Sequence, residues 1–177
     1  MTETTTMGTS SGLTAAIAIQ MLKQKLADYN YWGQSESDSP LAVKRTKSAL
    51  DDKKILSLDA SMRRKAMATE GYKPPERTIR SSGLEETIKP LFMNQITELW
   101  NLTTPVNEGT AGIETLESSL EATEYYVQVY NAFRMLGQPR VCYVEDTAAT
   151  APYTGLFIIG QSSDGETVYA QSLLVQT

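Results

Sequence analysis

Histidine is absent from this 177-residue chain. With it go the usual general base near neutral pH, the commonest metal ligand, and the Ser-His and Cys-His nucleophile pairs. Cysteine occurs once, as Cys142, so no internal disulfide can form. Its place in the apolar run Val141-Cys142-Tyr143-Val144 reads as a small buried hydrophobe, because a reactive thiol needs an exposed, electropositive setting. Long apolar runs are missing too. The longest near the start, Leu13–Leu22, is broken by Thr14 and Gln20 and falls well short of the roughly 20 residues a membrane span requires. Met1–Gly12 carries Glu3 as its one charged side chain and so lacks the positive start of a secretory signal. The expected location is inside a cell or within a virus particle, without secretion and without a transmembrane segment. Asn101-Leu102-Thr103 matches the glycosylation sequon, which is idle off the secretory route.

The motifs that do occur lack the partners their chemistry needs. Gly8-Thr9-Ser10-Ser11-Gly12 fits the G-x-S-x-G string of a nucleophile elbow, yet that motif requires a preceding strand and a histidine. It reads instead as a turn leading into a helix cap. Asp164-Gly165 is a turn and no calcium loop, since the alternating oxygen ligands and closing glutamate of such a loop are missing. No phosphate-cradling glycine pattern occurs. The neighbouring carboxylates Glu85-Glu86 and Glu145-Asp146 read as solvated surface rather than as an acid–base pair. The expectation is a chain that is no enzyme and carries no cofactor and no metal.

What the sequence has is charge sorted along its length. Of 16 basic residues, 12 fall between Pro40 and Lys89, a stretch of net charge +5, whereas residues 90–177 carry −8 and the first 39 carry −2. Such asymmetry points to a polyanion or to electrostatically complementary self-association. An apolar fraction of 41% and a charged fraction of 21% are those of a globular chain long enough to bury a core without staples.

The fold expected is α+β: N-terminal helices, then a long helix packed on a short antiparallel sheet with a C-terminal β-hairpin. Residues 1–12 read as a flexible arm, 13–75 as a helical, basic interaction segment, and 76–177 as a compact α+β core. Ser10 or Ser11 would cap the first helix, whose stripe runs through Leu13, Ala16, Ile17, Met21, Leu22, Leu26 and Tyr29. Two further helices are expected over about Leu41–Ile55 and Leu58–Thr69, the latter stopped by Gly71. Tyr72-Lys73-Pro74-Pro75 reads as a linker because proline lacks a backbone donor and holds its predecessor extended. Glu85–Thr103 fits both periods, and its Glu, Leu, Met and Gln content favours helix. The long helix spans about Gly112–Leu136, capped by Thr110, with a buried stripe of Ile113, Leu116, Leu120, Val127 and Tyr130 widened by Tyr126, Val129, Phe133 and Leu136. Strands follow over Arg140–Glu145, Gly155–Gln161 and Glu166–Gln176, the last two joined by the Asp164-Gly165 turn. The final strand has no Lys, Arg or Pro to blunt an edge, so a helix, or a neighbour's strand or arm, should cover it.

Lys44, Arg45, Lys47, Lys53, Lys54, Arg63, Arg64 and Lys65 form short basic groups that could follow a phosphate backbone. Asp51, Asp52 and Asp59 interrupt them, and no aromatic residue lies between Trp32 and Tyr72 to stack on bases. A closer complement is in the same chain, where Glu114, Glu117, Glu121 and Glu124 make an acidic ridge on the long helix. Tyr31 and Trp32 are candidate apolar anchors, or else ordinary core. The leading expectation is a non-enzymatic, self-associating structural protein, similar in character to matrix, capsid-accessory and neck or tail components of virus and phage particles. Its partner would be itself, head to tail, with no small-molecule substrate. One rival is a monomeric ligand-binding or adaptor domain with a pocket lined by Tyr126, Tyr130, Phe133 and Phe157. The other is a nonspecific binder of nucleic acid or an anionic membrane surface.

Overall fold

The C-terminal part of the chain builds the centre of a sheet. In a computed structural model that describes residues 12–27, 32–33 and 35–176, Gly137–Asp146 (β3), Tyr153–Gln161 (β4) and Thr167–Val175 (β5) run antiparallel as neighbours. The β4–β5 turn is the expected one: Gly165 adopts φ 81°, the left-handed geometry a tight hairpin demands. Two shorter strands complete the sheet. Ala42–Thr46 (β1) pairs with β5, placing Val43 opposite Ala170, and Arg77–Gly83 (β2) pairs with β3, placing Ile79 opposite Val144. The order is β1-β5-β4-β3-β2, all antiparallel. The protein is therefore α+β, with five strands among the described residues where three were expected.

Both edge strands depart from the sequence reading. β1 lies inside the expected helix Leu41–Ile55, whose Ala, Lys and Arg are good helix formers; pairing with β5 and burial of Val43 override that local preference. β2 follows the prolines read as a linker. The last strand is covered, but by β1 of its own chain rather than by a helix or a neighbour. The new outer edges carry Lys44 and Arg45 on β1 and Arg77 and Arg80 on β2, charges that oppose further strand addition. β1, from the segment before residue 75, lies in the same sheet as β5.

Among the described residues four helices clothe the sheet. Ala15–Leu26 (α1) is capped by Thr14, whose hydroxyl accepts from the Ile17 N–H; Ser10, Ser11, Tyr29 and the arm over 1–11 lie outside the described residues. The buried face of α1 is Ala15, Ala18, Leu22 and Leu26, whereas Ile17 is exposed. Asp52–Met67 (α2) is one helix in place of two, capped by Asp51 accepting from the Lys54 N–H at 2.8 Å. Leu84–Asn107 (α3) resolves the ambiguous stretch as helix. Ile113–Phe133 (α4) starts from Gly112 with no side-chain cap, because the Thr110 hydroxyl donates to the Pro105 carbonyl instead.

Strand alternation sorts the core into two layers. Val141, Tyr143, Leu156, Ile158, Val168 and Ala170 face α1, α3 and α4. Cys142, Val144, Phe157, Ile159 and Tyr169 face α2, where Leu50 and Ile55 meet them. The start of α1 is tied to the β4–β5 turn: the Ala15 N–H donates to Asp164 at 3.1 Å and the Ser163 N–H to the Leu13 carbonyl at 2.7 Å.

One turn makes a pH prediction. The Asp146 carboxylate accepts from the Thr150 hydroxyl at 2.8 Å and from the N–H groups of Ala148, Thr150 and Ala151 at 2.9 Å each. The Thr150 hydroxyl foremost, then the backbone donors, hold its pKa at about 2, against an ordinary 3.8. A depressed folded pKa is stability present above the unfolded value and lost as pH falls through the folded one. The amide shifts of Ala148, Thr150 and Ala151 should stay constant on acidification until the pH nears 2. A midpoint at the ordinary carboxylate value would mean these bonds do not favour the ionised form.

Candidate functional site

The basic residues gather on the side of the sheet covered by α2. Lys53, Lys54, Arg64 and Lys65 project from the outward half of that helix, opposite Ile55 and Asp59, which are buried. Lys44 and Lys47 add to them as exposed groups, and Arg45 is drawn into an ion pair with Glu166 at 3.6 Å. Between β1, β5 and α2 lies a cleft of about 740 Å³ with Leu58, Met62 and Leu173 in its walls and Lys44 and Lys65 on its rim. Asp38 is the one acidic residue lining it. Gln171 also lines it, only 7% exposed, with a side-chain oxygen that has no hydrogen-bond partner among the described residues.

Arg63 does not belong to this surface. It is fully buried, and its Nε donates to Asp59 Oδ2 at 2.8 Å while Nη2 donates to the carbonyls of Val144 at 3.1 Å and Tyr153 at 3.0 Å. Arg77 reaches the same carboxylate oxygen at 2.6 Å and also donates to the Leu56 and Pro75 carbonyls. The pattern Arg63-Arg64-Lys65 thus splits: the first residue pins α2 to the sheet, and the next two face solvent. Helical periodicity held the signal, since Arg63 falls on the stripe of Ile55, Asp59 and Ala60.

The acidic ridge is on the opposite side of the sheet. Glu114, Glu117, Glu121 and Glu124 are all exposed along α4, which packs antiparallel against α3 as a helical hairpin. From Pro90 to Phe133 this hairpin holds six glutamates and no Lys or Arg. Its distal half departs most from the sequence reading. No residue from 96 to 118 is buried, and Ile113, Leu120 and Val127, expected in the core, are exposed. The buried face of α4 keeps the expected Tyr126, Val129 and Phe133 but continues through Ser119 and Thr123. Ile113, Leu120 and Val127 recur every seven residues, so they form one stripe, and Glu117 and Glu124 flank it within about 80° on the helical wheel. Met93, Ile96 and Trp100 make a matching exposed stripe on α3. The stripes share one side of the hairpin, because Met93 and Val127 line the same groove.

The aromatic residues divide. Trp32 is core, fully buried and edge-on to Tyr125 and Tyr126 at 6.3 and 5.6 Å between ring centres; Tyr31 lies outside the described residues. Tyr126 and Tyr130 line the α3–α4 groove of about 320 Å³. Phe133 and Phe157 are buried on opposite sides of the sheet, so the four aromatics of the expected pocket enclose no common cavity. Burial pushes the Tyr125 and Tyr143 hydroxyls above the ordinary phenol value.

Among the described residues no group of three or more Cys, Asp and Glu side chains is placed to hold a metal ion, and no helix is long and apolar enough to cross a membrane. Compared with known proteins, the chain matches no family model and no curated protein.

Proposed function

We propose that the protein is a non-enzymatic, self-associating structural component that assembles head to tail, as parts of virus and phage particles do. One observation carries this reading: the basic and acidic surfaces stand on opposite sides of the sheet and do not neutralise each other within the chain. Among the described residues the ion pairs are Arg45–Glu166, Arg63–Asp59, Arg77–Asp59 and Arg80–Glu145, none of which joins the α4 ridge to the exposed cations of α2. Had α2 lain along α4, those charges would already be satisfied in one copy.

Complementary faces that differ from each other make a heterologous contact, which closes into a ring or propagates as a filament according to the rotation between neighbours. Exposed ion pairs contribute about 0–1 kcal/mol each, so they set register while apolar contacts supply the affinity. Light scattering on a sizing column should show species larger than one copy at low salt, shrinking as salt screens the pairing over the Debye length of about 10 Å at 0.1 M. A single-copy mass at every salt and up to millimolar protein would refute the reading.

A further inference from the structure

We propose that the tip of the α3–α4 hairpin of one copy seats in the β1–α2 cleft of the next, with Trp100 and Ile113 entering between Lys44 and Lys65. This rests on the self-association reading above and names its two surfaces. Trp100 is 74% exposed and Ile113 70%, the highest values among the large apolar side chains of the described residues, and both sit in the distal half of the hairpin. Tryptophan so placed is the residue most enriched where binding energy concentrates. The cleft offers what this tip lacks: apolar walls from Leu58 and Met62, two lysines on the rim, and more cations on the adjoining outer face of α2. At about 740 Å³ it falls in the roughly 300–1,000 Å³ range of cavities that enclose whole ligands, ample for an indole.

Two further observations choose this occupant. The Gln171 side-chain oxygen at the cleft wants a donor, and the indole N–H of Trp100 is a group that only donates. The competing arrangement, hairpin against hairpin through the apolar stripes, would set the six glutamates between Pro90 and Phe133 of one copy against six of another, with Lys89 beside Met93 in the groove as a lone cation on that face of α3. Like charges juxtaposed at a contact oppose it. The acidic tip therefore favours the basic cleft, a contact between two different surfaces.

Charge exchange tests this on the full chain, by sedimentation at low salt. Lys44→Glu/Lys65→Glu and Glu117→Lys/Glu121→Lys should each weaken self-association at least tenfold, and an equal mixture of the two should assemble again, because each then supplies the charge the other lost. Trp100→Ala should weaken association at least tenfold with an unchanged melting curve. Association of the native protein that survives both charge variants, or variants that fail to recombine, would overturn the docking while leaving self-association standing. Loss on Trp100→Ala with no effect of the lysine changes would assign the contact to paired hairpins and overturn it equally. A native protein that never associates would remove docking and parent reading together.

Discussion

Replacing Asp59 with alanine should destabilise the protein by about 3–5 kcal/mol, the range seen when one partner of a buried ion pair is removed. The reason is what the substitution leaves behind. Arg63 is wholly buried, and although two backbone carbonyls accept from its Nη2, the only carboxylate it reaches among the described residues is Asp59. Without that carboxylate a cation stays between α2 and the sheet with no counter-charge. A domain is stable by only about 5–15 kcal/mol, so such a loss is a large part of the whole. Urea unfolding followed by circular dichroism would measure it. A loss below about 1 kcal/mol would mean that water reaches the guanidinium and that the cluster is not dry. The paired change Asp59→Leu/Arg63→Met should cost less than Asp59→Ala alone, because it removes the buried cation along with its partner. Arg77 loses the same carboxylate in both variants but keeps its bonds to the Leu56 and Pro75 carbonyls.

Gly155 is linked to the same carboxylate from the other side. A methyl group there would collide with Asp59 Oδ1 and lie 3.2 Å from the Val144 Cβ. The glycine in β4 is thus the space into which the aspartate fits. Gly155→Ala and Asp59→Ala should accordingly be strongly non-additive, since contacting residues couple where distant ones add. Through this cluster α2, β2, β3 and β4 are joined at one point, which explains why a charged residue on an otherwise apolar helix stripe is kept inside.

Much of this fold can be read from residue pattern, and the failures have physical causes. Cys142 and its apolar neighbours announce a strand buried on both faces, and Asp164-Gly165 announces the hairpin, because both signals are local. β1 and β2 escape such reading: each is short, rich in Lys, Arg, Ser or Thr, and becomes a strand only when a distant partner supplies its hydrogen bonds. The acidic ridge and most of the basic cluster emerge from counting charges, since exposed glutamates and lysines stay where solvent is. What counting misses is which apolar stripe faces the core. Ile113, Leu120 and Val127 are more hydrophobic than Ser119 and Thr123, yet the latter pair is buried. Nothing in α4 alone reveals that its first half packs on α3 beyond the reach of the sheet. The cleft is equally hidden, because Lys44, Lys65 and Gln171 come together only when β1 adds to β5 beside α2.

The two tryptophans should separate folding from assembly. Trp32→Ala removes a fully buried ring edge-on to Tyr125 and Tyr126, next to Gly33, whose N–H donates to the Tyr126 hydroxyl at 2.7 Å. Truncations of this kind cost about 3–5 kcal/mol through lost transfer energy and the cavity left behind. Trp100→Ala removes a ring that is three-quarters in water, and away from buried features such changes stay within about 0.5 kcal/mol. Unfolding curves at protein concentrations low enough to keep copies apart should show the first loss and not the second. Sedimentation at high concentration should show the reverse order, with association lost in Trp100→Ala and retained in Trp32→Ala wherever that variant remains folded. Equal destabilisation by the two would place Trp100 in the core of the single copy, and the hairpin tip would then have no free ring to offer a neighbour.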